Sequence, residues 1–220
     1  MSTLYVVATP IGNLEDVTFR AVRVLGEVRL IAAEDTRVTS RLLARHGIRT
    51  TMMSYRAPVE RRLLARLLTA LETGDVALVS DAGTPTLSDP GRLLVDAAWG
   101  AGHRVVPVPG PSAITAALAV AGLPGSGFAF TGYLPRKTGE LQRFFEALRE
   151  ASRPTVVFES PHRVRRSLEV LAQVLPDRQV MVGRELTKLH EEVLRGTARE
   201  VLAALRDEAR GEFTLVIASV

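Results

Sequence analysis

Two small sets of side chains carry the acid–base chemistry open to this chain. Glu34, Asp35 and Arg37 place two carboxylates and a guanidinium within four positions, and Lys188, His190 and Glu191 form a second mixed set far downstream. Groups of these types give or take a proton when held against a reacting hydroxyl. Four loops rich in Gly, Pro and polar residues accompany them. They run from Ala8 to Asp16, from Ala33 to Arg37, from Ser80 to Gly91 and from Val108 to Ala113. Taken singly, each reads as a turn entering a helix, with Asp16, Thr36 and Asp89 standing where N-caps belong. Four in succession, with Gly and Pro pinning the backbone, imply a ligand crevice at the strand ends of an open sheet.

Several chemistries are excluded. No Gly-x-Gly-x-x-Gly follows the first strand-like run, and there is no phosphate-binding Gly-x-x-x-x-Gly-Lys-Ser/Thr. Gly110-Pro-Ser112 lacks the second glycine of a nucleophile elbow. The chain has no cysteine, and His46, His103, His162 and His190 have no paired spacing, which argues against a metal site.

The elements that must position these loops alternate along the chain. Strand-like runs are Leu4–Ala8, Val28–Ala32, Val76–Ser80, Arg104–Val108, Phe128–Thr131, Thr155–Phe158, Val180–Gly183 and Phe213–Ala218. Helical periodicity marks Arg61–Glu72, Arg92–Trp99, Leu141–Glu150, Val164–Val174 and Arg199–Arg206. Alternation of this kind predicts an α/β fold with mostly parallel sheets. The Pro-rich segment Pro107–Pro111 suggests two domains, 1–109 with the motif-rich loops and 110–220 completing a cleft. The uncharged stretch Ser112–Phe130 is broken by Gly122, Pro124, Gly125 and Gly127, so it reads as a short buried helix, a turn and a buried strand. It is not a membrane span, and the start of the chain has no signal-peptide pattern.

Composition decides less. Only Lys137 and Lys188 among the 28 basic residues are lysine, and the net charge is +4. Arginine forks suit phosphate, yet a GC-rich genome or a thermophile produces the same bias. Trp99 and the phenylalanines read as core.

The strings Thr9-Pro-Ile-Gly-Asn-Leu14, Ala33-Glu-Asp-Thr-Arg37, Ser80-Asp-Ala-Gly-Thr-Pro85, Pro109-Gly-Pro-Ser-Ala113, Glu159-Ser-Pro-His-Arg163 and Gly183-Arg-Glu-Leu-Thr-Lys188 together resemble the tetrapyrrole-methylase superfamily. They are most similar to its branch acting on small-subunit ribosomal RNA. Tetrapyrrole-methylating members carry Gly-Asp-Pro where this chain has Gly83-Thr84-Pro85, which favours the RNA branch.

The resemblance implies two α/β domains, S-adenosylmethionine as methyl donor in the cleft between them, and a cytoplasmic homodimer. It also implies a 16S rRNA substrate, within the 30S subunit, methylated at the ribose 2′-hydroxyl of a decoding-region cytidine. By motif position Pro10, Asp81, Gly83, Thr84, Ser112 and Ala113 line the donor pocket, with Phe158 or Glu159 adding contacts. Asp35 or Lys188 is then expected nearest the hydroxyl proton, with Glu34 and Arg37 beside it. Asn13 either tolerates a left-handed turn or binds substrate. Arg136, Lys137, His162 and Arg163 are candidate phosphate contacts, alongside the bland alternative of solvated or capping residues. Two other functions compete: methylation of a corrin or porphyrin precursor, and RNA binding without catalysis.

Overall fold

The computed structural model describes residues 2–205 and 210–220. The chain divides into two compact units, Met1–Ser112 and Ala113–Val220.

The first unit contains β1 (Thr3–Val7), β2 (Leu30–Ala33), β3 (Met52–Ser54), β4 (Val76–Val79) and β5 (Arg104–Val108), ordered β3-β2-β4-β1-β5. Every pairing in this sheet is parallel. Its helices are α1 (Phe19–Glu27), α2 (Thr36–Arg45), α3 (Glu60–Thr73) and α4 (Arg92–Gly100). Parallel neighbours need crossovers, and their right-handedness decides which face each helix covers. The chain steps outward from β1 to β2 to β3, which puts α1 and α2 on one face. It returns through β4 to β5, which puts α3 and α4 on the other.

The packing follows that rule. Ala21, Val24, Leu25, Leu42 and Leu43 cluster with Val7, Ile31, Ala33, Ala77 and Val79. Leu67, Leu71, Leu94 and Ala98 cluster with Leu4, Ala32, Val76 and Leu78. Alternate strand residues feed opposite layers, so strands covered on both faces read as unbroken apolar runs. Each fully buried leucine contributes about 1.5–3 kcal/mol.

β3 escapes prediction because Met52-Met-Ser54 is a short edge strand paired only to β2. The helix starts also differ from expectation. The side chain of Thr18 caps α1 through the Ala21 N–H, and Asp35, not Thr36, caps α2 through the Arg37 N–H. Gly91, not Asp89, precedes α4. Asp16 ends a short 3₁₀ turn, Leu14–Asp16, that Asn13 caps.

The second unit contains β6 (Ala129–Tyr133), β7 (Thr155–Glu159), β8 (Gln179–Arg184), β9 (Glu192–Thr197) and β10 (Phe213–Ile217), ordered β6-β7-β10-β8-β9. Here only β6 and β7 run parallel; β7–β10, β10–β8 and β8–β9 are antiparallel. The parallel expectation therefore describes the first sheet, and the second is mixed. For β8 and β9 the physical reason is connection length, because the loop joining them is too short for a crossover. β9 was not expected; its residues alternate between half-buried and exposed, and it is held by its ladder to β8.

The helices here are α5 (Ala113–Ala121), α6 (Thr138–Ala147), α7 (Val164–Val174) and α8 (Ala198–Ala204). α8 opens with a reciprocal Thr197–Glu200 capping box, and the expected end of that helix at residue 206 lies outside the described residues. The core joins Leu141, Phe145, Leu168, Leu171, Val201 and Phe213 to the inner faces of β7, β8 and β10.

Two burial expectations fail. β6 is an edge strand with half-buried and exposed residues alternating, and α5 buries only Ile114, Ala117 and Ala121 on one face. Nor are all the aromatics core: Phe19 is 98% exposed and Trp99 63%, each on the outer side of a helix whose opposite stripe packs on the sheet.

Candidate active site

In the first unit β1 and β4 are neighbours, yet the chain leaves them toward opposite faces. Such a switch point opens a crevice at the carboxyl ends of the strands. Two knots of hydrogen bonds shape it. In the first, Thr9 and Gly83 exchange both backbone bonds, Thr9 N–H to Gly83 O at 2.9 Å and Gly83 N–H to Thr9 O at 3.0 Å. The Thr9 hydroxyl donates to Ser80 O at 3.2 Å, and the Thr84 hydroxyl to Pro111 O at 3.5 Å. The loops after β1, β4 and β5 are thus tied into one rim, which carries Pro10, Asp81, Gly83, Thr84 and Ser112.

Gly83 sits at φ +72, and a Cβ there would lie 3.3 Å from Ile11 Cγ2. Gly83→Ala is expected to lower stability by about 1–2 kcal/mol, the cost of left-handed backbone for an L-residue. It should also weaken donor binding, which thermal melting and titration with S-adenosylhomocysteine would measure. An unchanged affinity would separate this loop from the donor.

The second knot is acidic. β2 and β4 pair with Ala33 opposite Val79, so the residues just beyond that register meet. The Asp35 N–H donates to Asp81 Oδ1 at 2.8 Å, and the Asp81 N–H to Glu34 Oε2 at 3.2 Å. The Glu34 carboxyl is raised above its usual 4.5, chiefly by burial; the Asp81 N–H opposes this, and the charges of Asp81 and Asp35 add to it. Asp81 is also raised, again chiefly by burial. Asp35 goes the other way. The Arg37 side chain and N–H both bond to it, with one contact at 2.5 Å, and hold its carboxyl at about 2. Asp35 is therefore a helix cap and ion-pair partner of low basicity, whereas Glu34 is the stronger base.

Asn13 adopts φ −115, so it occupies no left-handed turn; its Oδ1 accepts from the Glu15 N–H at 3.1 Å.

In the second unit the candidates fall into separate groups. Glu159, 2% exposed, anchors a polar network at the end of β7. It accepts from the Ser160 N–H at 2.7 Å, from the Ser167 hydroxyl at 2.6 Å, and from Arg163. Arg163 also donates to Leu134 O at 3.2 Å, so its guanidinium is engaged inside the protein. Phe158 is half-buried, edge-on to Phe130 and Tyr133 at ring separations of 5.0 and 5.8 Å. His162 is exposed in the turn before α7, and Arg136 and Lys137 are exposed before α6, with Lys137 3.3 Å from Glu140.

Lys188 bridges Glu185 at 2.8 Å and Glu212 at 3.0 Å. Burial pulls its pKa down, but bonds to the two carboxylates outweigh this and the net shift is upward. A protonated ammonium cannot accept a proton. His190 and Glu191 share its loop, with Glu191 accepting from the Thr187 N–H at 2.5 Å, and Ala113 begins α5.

One working residue, Ser167, was missed from sequence, and Asp81, expected at the donor, has a second partner that was not expected. Asp81 acts on Glu34 through strand register, which no local pattern reveals. Ser167 was marked only by its spacing, since 163 and 167 stand one helical turn apart in α7 and face back toward Glu159.

A parallel sheet with its crevice at the switch point, joined in the chain to a mixed α/β unit, defines a two-unit α/β class of protein. Residues 3–202 match the model of the Tetrapyrrole (Corrin/Porphyrin) Methylases, and the chain belongs to that family. It is 47% identical over 219 residues to the Ribosomal RNA small subunit methyltransferase I of Neisseria meningitidis serogroup B, covering 98% of this chain and 75% of the relative. It is 44% identical to the protein of the same name from Thermotoga maritima, covering 99% of this chain and 98% of the relative. Among solved structures it resembles uroporphyrin-III C-methyl transferase from Thermus thermophilus complexed with S-adenyl homocysteine. That match has a TM-score of 0.64 and 19% identity, and covers 99% and 97% of the two chains.

Proposed function

We propose that the chain transfers a methyl group from S-adenosylmethionine to small-subunit ribosomal RNA, at the 2′-hydroxyl of a cytidine ribose in the decoding region. The carrying observation is the Glu34–Asp81 knot, in which half-buried Glu34 meets exposed Asp81 at the carboxyl ends of β2 and β4. The donor bears a sulfonium and an ammonium, both cationic, and an acidic rim built on backbone bonds suits it. Pro10, Asp81, Gly83, Thr84 and Ser112 hold the donor in this reading. When bound, the donor supplies an electrophilic methyl whose sulfur departs as a neutral thioether.

The chain's own contribution is alignment and proton removal. Alignment of oxygen, carbon and sulfur carries much of the rate. Glu34 takes the hydroxyl proton, in preference to the weakly basic Asp35 and the protonated Lys188. Asn13, Arg136, Lys137 and His162 touch the RNA. Arg163 and Glu159 act as a positioning pair rather than direct contacts, because Arg163 donates to Glu159, to Ser160 Oγ and to Leu134 O inside the unit and Glu159 is buried among its donors.

The working form is a cytoplasmic homodimer acting on the 30S subunit. Among the described residues no helix is long and apolar enough to cross a membrane. Incubation with labelled S-adenosylmethionine and unmodified 30S subunits tests the reading. Label is expected in a cytidine ribose of 16S rRNA. Label only in an added tetrapyrrole precursor, or donor binding with no transfer, would refute it.

A further inference from the structure

The first unit has a second cavity that the chemistry above does not use. It lies toward the amino ends of β2 and β3, beside α3, and has a volume of about 500 Å³. Arg29, Arg66, Thr51, Thr69 and Thr73 supply its polar lining, Met53 part of its apolar lining, and among the described residues no carboxylate lines it. Its origin is readable along α3. Leu67 and Leu71 bury against the sheet, but the neighbouring stripe Arg66, Thr69, Ala70 and Thr73, at i, i+3, i+4 and i+7, lines the cavity. Large apolar side chains on that stripe would close the space beneath the edge strand.

Arg29 is set in place. Its stem crosses Gly74, where a Cβ would stand 3.1 Å from Arg29 Cβ and Cδ, and its Nη1 donates to Thr73 O at 3.5 Å. Arg66 has no hydrogen bond or ion pair among the described residues. Two guanidinium groups and the hydroxyls of Thr51 and Thr69 around one space match the oxygens of a phosphate, while the Thr73 hydroxyl is spent on Ala70 O.

We propose that this pocket binds a phosphate group of the RNA backbone, a step that rests on the RNA reading above and extends it. The extended chain from Arg29 to Asp35 spans about 20 Å. A phosphate held at Arg29 therefore lies several nucleotides from the reacting ribose, and it sets the register of the strand without reading a base.

Arg66→Gln is the test, because Arg66 is exposed on its helix and its loss leaves the core untouched. The variant is expected to bind 30S subunits less tightly at 50 mM salt. Its deficit should shrink about threefold by 200 mM, since one lost phosphate contact lowers the slope of log K against log salt by about 0.7–0.9. Inorganic phosphate should raise the melting temperature of the parent and not of the variant.

If phosphate acts in this way while the variant binds subunits as the parent does, the pocket serves a free anion and the RNA assignment is overturned. Equal subunit binding, equal slope and no phosphate effect overturn the site itself. A parent that responds to phosphate but never binds subunits removes the RNA reading and leaves a phosphate pocket behind.

Discussion

Replacing Glu34 with Gln is expected to slow methyl transfer by about 10²- to 10⁴-fold, the usual worth of a positioned base. Donor affinity and melting temperature should stay near those of the parent. Gln keeps a carbonyl oxygen for the Asp81 N–H, now 3.2 Å from Glu34 Oε2, so the knot survives while the basic carboxylate is lost. The pH profile gives a second readout. Glu34 must be ionised to accept a proton, and its pKa lies above the ordinary 4.5 because burial disfavours the charge. The rate should therefore fall as pH drops through that raised value, and the Gln variant should lack this acid limb. Asp35→Asn is the contrast: Asn is as good an N-cap as Asp, and a carboxyl already held at about 2 has little basicity to lose. A larger kinetic loss from Asp35→Asn than from Glu34→Gln would return the base to Asp35.

The second large effect is on stability. Glu159→Ala removes the acceptor of Arg163, of the Ser167 hydroxyl and of the Ser160 N–H at once. Breaking a buried pair from one side leaves a charge without its partner and costs about 3–5 kcal/mol. The second unit is then expected to melt more than about 10 °C lower, given about 4–8 °C per kcal/mol for a domain of this size. Calorimetry or urea unfolding followed by circular dichroism would measure it. Adding Arg163→Met to Glu159→Ala should recover part of the loss, since the stranded guanidinium is gone. A melting point within 2 °C of the parent, or no coupling between the two substitutions, would show that the network does not hold this end of β7.

Much of the architecture was legible from residue order. Unbroken apolar runs such as Leu4–Ala8 and Val76–Ser80 marked strands covered on both faces, because burial on two sides leaves no polar alternation. The i, i+3, i+4 leucines of α3 marked an amphipathic helix. Elements held by partners rather than by burial were not legible. β3 and β9 are edge strands whose hydrogen bonds come from neighbours distant in sequence or across a hairpin. The antiparallel pairing of β8 with β9 likewise follows from its short connection, not from composition. Phe19 and Trp99 read as core by type and lie in water, because residue type does not say which side of a helix faces the sheet.

The site divides along the same line. Residue order alone located the four loops, placed Glu34, Asp35 and Arg37 together, and carried the family strings, because each of these is a local property of the chain. The proton affinities that favour Glu34 as the proposed base arise only in the tertiary structure. Asp35 is weakened by a neighbour two residues away, an effect hidden until the α2 start is known. Lys188 is pinned by Glu212 across the β8–β10 region. Glu34 owes its raised pKa first to burial; the Asp81 N–H, brought within a hydrogen bond by the pairing of β2 with β4, opposes this, and the Asp81 charge adds to it. Proton affinity depends on desolvation and on charges a few ångströms away, and those distances exist only once the strands have found their register.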